Sequence, residues 1–384
     1  MIKRLLLIFS LTLLLLTPSL VFAQTEPSPE IPVPVEQDVT INQEVQASIT
    51  QILSQDVDQN DVPQMTFLAL GDNGTTYTVN TADSYSTGLR YGLAVGNRVI
   101  LQIIDNGDGS QTAYLGDVVR TKGLFIVALI FALITLLVGR GRGFFALIGF
   151  AITLAILFWF VFPMILAGHN PVAISVLAGI VMLAINLSLA HGLTRNTAVA
   201  FASCSLGVIL AWLFSAAFVA IVKLSGLADE TSVFLYWQVG NIAIPQGLLL
   251  AGIILGAVGV LDDVAITQCE TIAELKAADP KLGGRELFTR GMRVGRHHIA
   301  STVNTLVLAY AGASLPLLLI FMADQSVSLW RFLNTEAVAE EIVRTLGGTC
   351  ALVLTVPVAS LLAAWVWSHA KKSALRGFTE HEHE

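Results

Sequence analysis

Residues 242–267 read IAIPQGLLLAGIILGAVGVLDDVAIT, an apolar run interrupted near its end by the adjacent carboxylates Asp262 and Asp263. A bilayer core of about 30 Å needs roughly 20 helical residues, so the run is long enough to cross it. An ionised carboxylate at that depth costs about 2.5 to 3.5 kcal/mol on insertion scales, and such residues usually face a polar partner, a water path or an ion. The pair is the first candidate for function; helix-end aspartates solvated at the membrane surface are the plainer alternative.

The rest of the chain agrees with a membrane setting. Of 384 residues 54% are hydrophobic and only 13% charged, more apolar than a soluble domain of this size. Seven candidate spans follow an N-terminal apolar segment: Gly123–Val138, Phe144–Leu166, Pro171–Ala190, Thr197–Val222, Ile242–Thr267, Ile299–Met322 and Ile342–Trp367. Arg140, Arg142, Arg195, Lys276, Lys281, Arg285, Arg290, Arg293, Arg296, Lys371, Lys372 and Arg376 then fall on one side, whereas the 225–240 loop carries Asp229 and Glu230 without Lys or Arg. The positive-inside rule makes the basic side cytoplasmic. The C-terminal tail, 371–384, is expected there too.

Leu5–Phe22 follows Lys3 and Arg4 and precedes small residues at Ala23, the pattern of a secretory signal or signal anchor over 1–23. Residues 24–38 contain Pro27, Pro29, Pro32 and Pro34 and read as an extended linker. From 39 to 121 the pattern becomes short β-rich runs at Val45–Leu53, Met65–Leu70, Thr75–Thr81, Arg98–Ile104 and Thr112–Val119, separated by turn residues such as Gly71-Asp72-Asn73-Gly74. The expectation is a small extracytoplasmic β-barrel or sandwich, with the OB type as a candidate, followed by a helical transmembrane domain over 122–370. Residues 24–121 hold 13 acids against 3 bases, net −10, which disfavours nucleic acid and anionic headgroups as partners. Asp105-Asn106-Gly107-Asp108-Gly109 lacks the distal Glu of a calcium loop and is expected to be a hairpin turn.

At helical spacing Gly252, Gly256, Gly259, Asp263, Glu270 and Glu274 fall on one stripe of the fifth span. The glycines predict close approach of a neighbouring helix, with Asp263 turned into the bundle and Asp262 about 100° away. The sixth span brings Ser301, Thr302, Asn304 and Thr305 to a similar depth, just after His297 and His298, and Asn186 in the third span is a further polar candidate. The neighbouring spans offer no Lys or Arg, so a proton or bound cation is expected to compensate the pair, and desolvation with like-charge repulsion should keep one member protonated near neutral pH.

Other chemistries lack their residues. Intramembrane aspartyl proteolysis needs its aspartates on different helices, and no HExxH, GxSxG or Walker A pattern occurs, so neither an enzyme nor a cofactor is expected. Cys204, Cys269 and Cys350 are scattered and form no CxxC motif. The terminal His381-Glu382-His383-Glu384 reads as tail, not as a metal site.

The β-rich first domain, the stretch Tyr91–Val99, and Gly-Ala-Val-Gly-Val-Leu-Asp-Asp-Val-Ala at 256–265 continuing to Glu270 resemble the bacterial YibE/F-like membrane proteins. That family supplies architecture but no established activity. Asp263, Glu270, the basic loop and Ser301-Thr302-Val303-Asn304-Thr305-Leu306 also resemble the central helix pair of SecD/SecF and RND-type permeases over about 60 residues. This second resemblance implies Asp263 as a proton relay with Thr302, Asn304 and Thr305 as partners. Two additional spans and a much smaller outer domain depart from that pattern.

The functional expectation is a proton- or cation-coupled transporter or exporter subunit in the bacterial cytoplasmic membrane, with Asp262 and Asp263 as coupling site. The alternative is a non-transporting envelope scaffold or sensor whose outer domain binds a protein partner. Beyond the lipid bilayer, a proton or cation, an envelope protein and a second copy of the chain are the expected partners.

Overall fold

The computed structural model describes residues 43–57, 63–81, 92–106, 111–239, 245–323 and 327–370. The expected signal, the proline-rich linker, the tip of the 105–109 turn and the C-terminal tail lie outside these residues. The chain divides into two compact units, Met1–Ile134 and Thr135–Glu384.

Among its described residues the first unit contains five strands: β1 (Gln43–Val57), β2 (Pro63–Gly71), β3 (Thr76–Asn80), β4 (Arg98–Asp105) and β5 (Gln111–Val118). They close into a barrel in the order β1-β2-β3-β5-β4, with β3 and β5 parallel and the other pairs antiparallel. Closure leaves no free sheet edge, and the strand count fits the OB type expected. Alternation places Val45, Ala47, Ile49, Phe67, Ala69, Val79, Val99, Leu101, Ile103 and Leu115 inside, each almost fully buried. β1 is long enough to pair with both β2 and β4, and two register shifts, at Ile49/Gln51 and Ile52/Ser54, bend it around the barrel. The β2–β3 turn falls at the expected glycine pair: Gly74 takes φ +80° and its N–H donates to the Gly71 carbonyl at 2.9 Å.

Among the described residues five helices are long and apolar enough to cross a membrane: α1 (Thr121–Leu166), α2 (Pro171–His191), α3 (Arg195–Val222), α5 (Pro245–Ala278) and α9 (Glu336–Ser368). The described residues also hold four other helices: α4 (Glu230–Val239), α6 (Gly284–Ala313), α7 (Leu315–Ala323) and α8 (Leu329–Leu333). The seven expected spans are thus not seven separate long helices. The first two share α1, which is broken at Arg140 (φ 48°, ψ −130°) and winds more loosely at Leu157–Val161. A Cβ at Gly143 would collide with the Thr135 carbonyl oxygen, so the chain folds back on itself at the Gly139–Gly143 segment. The expected sixth span is divided at Ser314 between α6 and α7.

Side-chain contacts give the helix directions. Gly179 meets Val258 and His191 meets Glu270, so α2 and α5 run parallel; Ala257 faces Gly348, and Leu261 and Thr355 both meet Gly207, which adds α9 to that set. Asn196 bonds Trp367 while Ser215 meets Gly347, and Gln268 meets Gly291 while Tyr310 meets Gly256, so α3 and α6 run the opposite way. One end of the bundle therefore gathers Arg195, Lys276, Arg285, Arg290 and Arg293, and the other gathers Asp229, Glu230, Glu336, Glu340 and Glu341 beside Lys223 and Arg344. The core holds Cys204, Val208, Leu261, Ala265, Cys269, Ala359 and Ala363, and the small cysteines and alanines among them let α3, α5 and α9 pack closely.

Candidate functional site

α5 is built as its sequence suggests. The helix continues past its apolar stretch through Gln268 and Glu274 to Ala278, where Asp279 and Pro280 stop it, and Gly283 caps the start of α6. The buried Lys276 finishes the helix by donating from Nζ to the carbonyls of Pro280 and Leu282, both at 2.8 Å. Those bonds satisfy an ammonium that otherwise would be costly to bury.

A cavity of about 480 Å³ opens beside α5, walled by three helices. α1 contributes Phe145, Ala146, Gly149, Phe150 and Thr153; α2 contributes Asn186, Leu187, Ala190 and His191; α5 contributes Gly259, Asp262, Asp263, Ile266, Thr267 and Glu270. Three carboxylates and one imidazole thus face a common space. Asp262 is half-buried, and its Oδ1 accepts the backbone N–H of Asp263 at 2.9 Å. Glu270 Oε1 stands 3.6 Å from His191 Nδ1, an ion pair whenever the imidazole is protonated. Asn186 donates from Nδ2 to Thr153 Oγ1 at 3.1 Å, while its buried Oδ1 has no hydrogen-bond partner. Gly149 lies 2.8 Å, measured from where its Cβ would sit, from that same oxygen. The wall therefore offers anionic groups and an unused acceptor, which suits a proton or a cation.

The expected stripe is real but faces differently. Gly252, Gly256, Gly259, Asp263, Glu270 and Glu274 are all exposed. No atom lies within 4 Å of a Cβ placed at Gly252 or Gly259, and at Gly256 only the Tyr310 hydroxyl does, at 3.0 Å. Asp263 is therefore not turned into the packed bundle; Asp262 is the more enclosed of the two. Close helix approach falls instead to glycines outside the stripe, Gly179 against Val258, Gly207 against Leu261, and Gly291 and Gly295 against Ile272, Gln268 and Val356.

The α6 candidates do not line the cavity. Thr302 and Thr305 donate to the carbonyls of His298 and Ser301 at 2.9 and 3.0 Å, satisfying themselves on their own helix. Asn304 and His297 are exposed and His298 is half-buried. Asn186 does join the aspartates. His191 and Thr153 were not legible as site residues, because each lies far from the pair in sequence; the 12-residue interval shared by Gly179–His191 and Val258–Glu270 marks the parallel pairing only once one contact is known. Among the described residues no group of three or more His, Cys, Asp or Glu side chains is arranged to hold a metal ion.

Comparison with known proteins adds one finding. No curated protein and no solved structure matches the chain, so the SecD/SecF resemblance has no counterpart there. A family model described as YibE/F-like protein matches residues 127–369, more than half of the sequence and all of the cavity wall. The chain belongs to the YibE/F-like protein family.

Proposed function

We propose that the protein is a proton- or cation-coupled membrane transporter, or the membrane subunit of an exporter, and that Asp262 with Asp263 forms its coupling site. The observation that carries this reading is the cavity between α1, α2 and α5, where Asp262, Asp263 and Glu270 meet His191 and the unpartnered Asn186 oxygen. Carboxylates on a helix of this length and hydropathy need compensation, and an exchangeable proton or cation supplies it. The five-stranded barrel lies outside the cytoplasm in this reading and the basic end of the bundle inside, as the segregation of charge favours. Glu270 and His191 lie toward the basic end and form the cytoplasmic side of the path.

The test uses full-length protein in vesicles loaded with a pH-sensitive dye, under an imposed pH gradient with and without sodium. Wild type should pass protons or exchange them for sodium, and Asp262→Asn should abolish the flux while leaving the folded protein intact. Flux equal to empty vesicles, or unchanged flux in both Asp262→Asn and Asp263→Asn, favours instead the scaffold or sensor whose barrel binds an envelope partner.

A further inference from the structure

The acidic end of the bundle holds a carboxylate that the cavity reading does not use. Glu340, one turn into α9, is 6% exposed, and its Oε1 is buried without a hydrogen-bond partner. Around it stand Glu336 and Arg344 on its own helix, and Asp229 and the Ala228 backbone from the segment before α4. The neighbouring carboxylates are already engaged. Asp229 accepts the N–H and hydroxyl of Ser232 at 2.8 and 2.7 Å and Glu336 Oε1 accepts the Ser225 N–H, while Arg344 Nε stands 3.6 Å from Glu341 as an ion pair and makes no hydrogen bond. Only Glu340 presents an enclosed, open oxygen, with Asp229 and Glu336 adding negative charge and Arg344 offsetting part of it.

We propose that Glu340 is a second proton-binding carboxylate, at the end of the bundle opposite the basic one. A single open carboxylate oxygen suffices for a proton, whereas a metal cation needs several oxygens together. Thr355 packs at the level of Leu261, beside Asp262, so Glu340 lies about 22 Å farther along α9, fifteen residues at 1.5 Å each. Tyr310 of α6 stands between the two levels: its hydroxyl covers Gly256 on the same stripe as Asp263, and it lies within electrostatic reach of Arg344 and Glu341. The site itself stands on the Glu340 geometry; its role as the far terminus of a coupling path rests on the function proposed above.

Dicyclohexylcarbodiimide, which modifies protonated carboxyl groups in apolar surroundings, tests this on the full-length protein in detergent, with modified peptides located by mass spectrometry. Glu340 should be modified, and the modification should fall along a titration curve as pH rises. Dependence on pH alone supports the proton; protection by sodium at fixed pH overturns the proton as the ligand. Glu340→Gln should lose this modification while keeping that at Asp262 and the wild-type elution profile, and Glu340→Asp should restore it in part. No modification of Glu340 at any pH while Asp262 reacts, or modification indifferent to pH and sodium, overturns the second site and leaves the cavity reading standing. Reaction at Glu340 with Asp262 inert at every pH overturns the cavity reading instead.

Discussion

The side-chain amide of Gln268 on α5 donates a 2.9 Å hydrogen bond to the Gly291 carbonyl on α6, and both residues are buried. The same amide lies against Gly295, whose Cβ position is 2.9 Å from Gln268 Oε1 and 2.6 Å from Val356 Cγ1. One polar side chain thus fixes where the basic start of α6 crosses α5 and α9.

Gln268→Leu should cost about 1 kcal/mol for the lost bond, and Gly295→Leu about 1 to 3 kcal/mol through overpacking against Val356. Thermal unfolding in detergent measures both. A Gly295→Leu variant as stable as wild type would contradict the packed crossing.

The fold-back in α1 predicts a contrast between two glycines. Gly143→Ala should reduce the yield of folded protein sharply, since the added methyl meets the backbone carbonyl of Thr135 rather than a movable side chain. Gly141→Ala should be well tolerated, because nothing lies within 4 Å of its Cβ position. Size-exclusion profiles of the two variants check this, and equal behaviour would rule out the turn as described.

Asp229 caps α4 at its first turn through Ser232. Burial alone would raise its carboxyl, but the Ser232 hydroxyl and N–H, the Thr231 N–H and the nearby Arg344 outweigh it and hold the group below the ordinary value of 3.8. A lowered folded value means the stabilisation is present above the unfolded value and is lost as pH falls through the folded one. Asp229→Ala should cost about 1 kcal/mol at neutral pH. The difference from wild type should shrink in acid, as melting curves across that range would reveal.

For the barrel, residues 39–121 expressed alone should give a β-type circular-dichroism spectrum that reducing agent does not change, since the segment has no cysteine. Phe67 is fully buried at its centre, and Phe67→Ala should cost about 3 to 5 kcal/mol in urea unfolding. A helical spectrum would sink the assignment.

The sequence by itself determined the local structure. Period-two alternation and turn glycines located all five strands within a few residues, because an inside–outside pattern of side chains is itself the condition for closing a barrel. Apolar length set the membrane character, and helical period put Gly252, Gly256, Gly259 and Asp263 on one stripe. Which side of α5 its neighbours would cover was decided only by tertiary packing. Periodicity states which residues share a face, while the choice of covered face depends on how well α3, α9 and α2 fit the opposite one, where Leu261, Ala265 and Cys269 are buried. The meeting of Asp262 with Asn186 and His191, and the isolation of Glu340 among Asp229, Glu336 and Arg344, are likewise products of helix direction and register between segments distant in the chain.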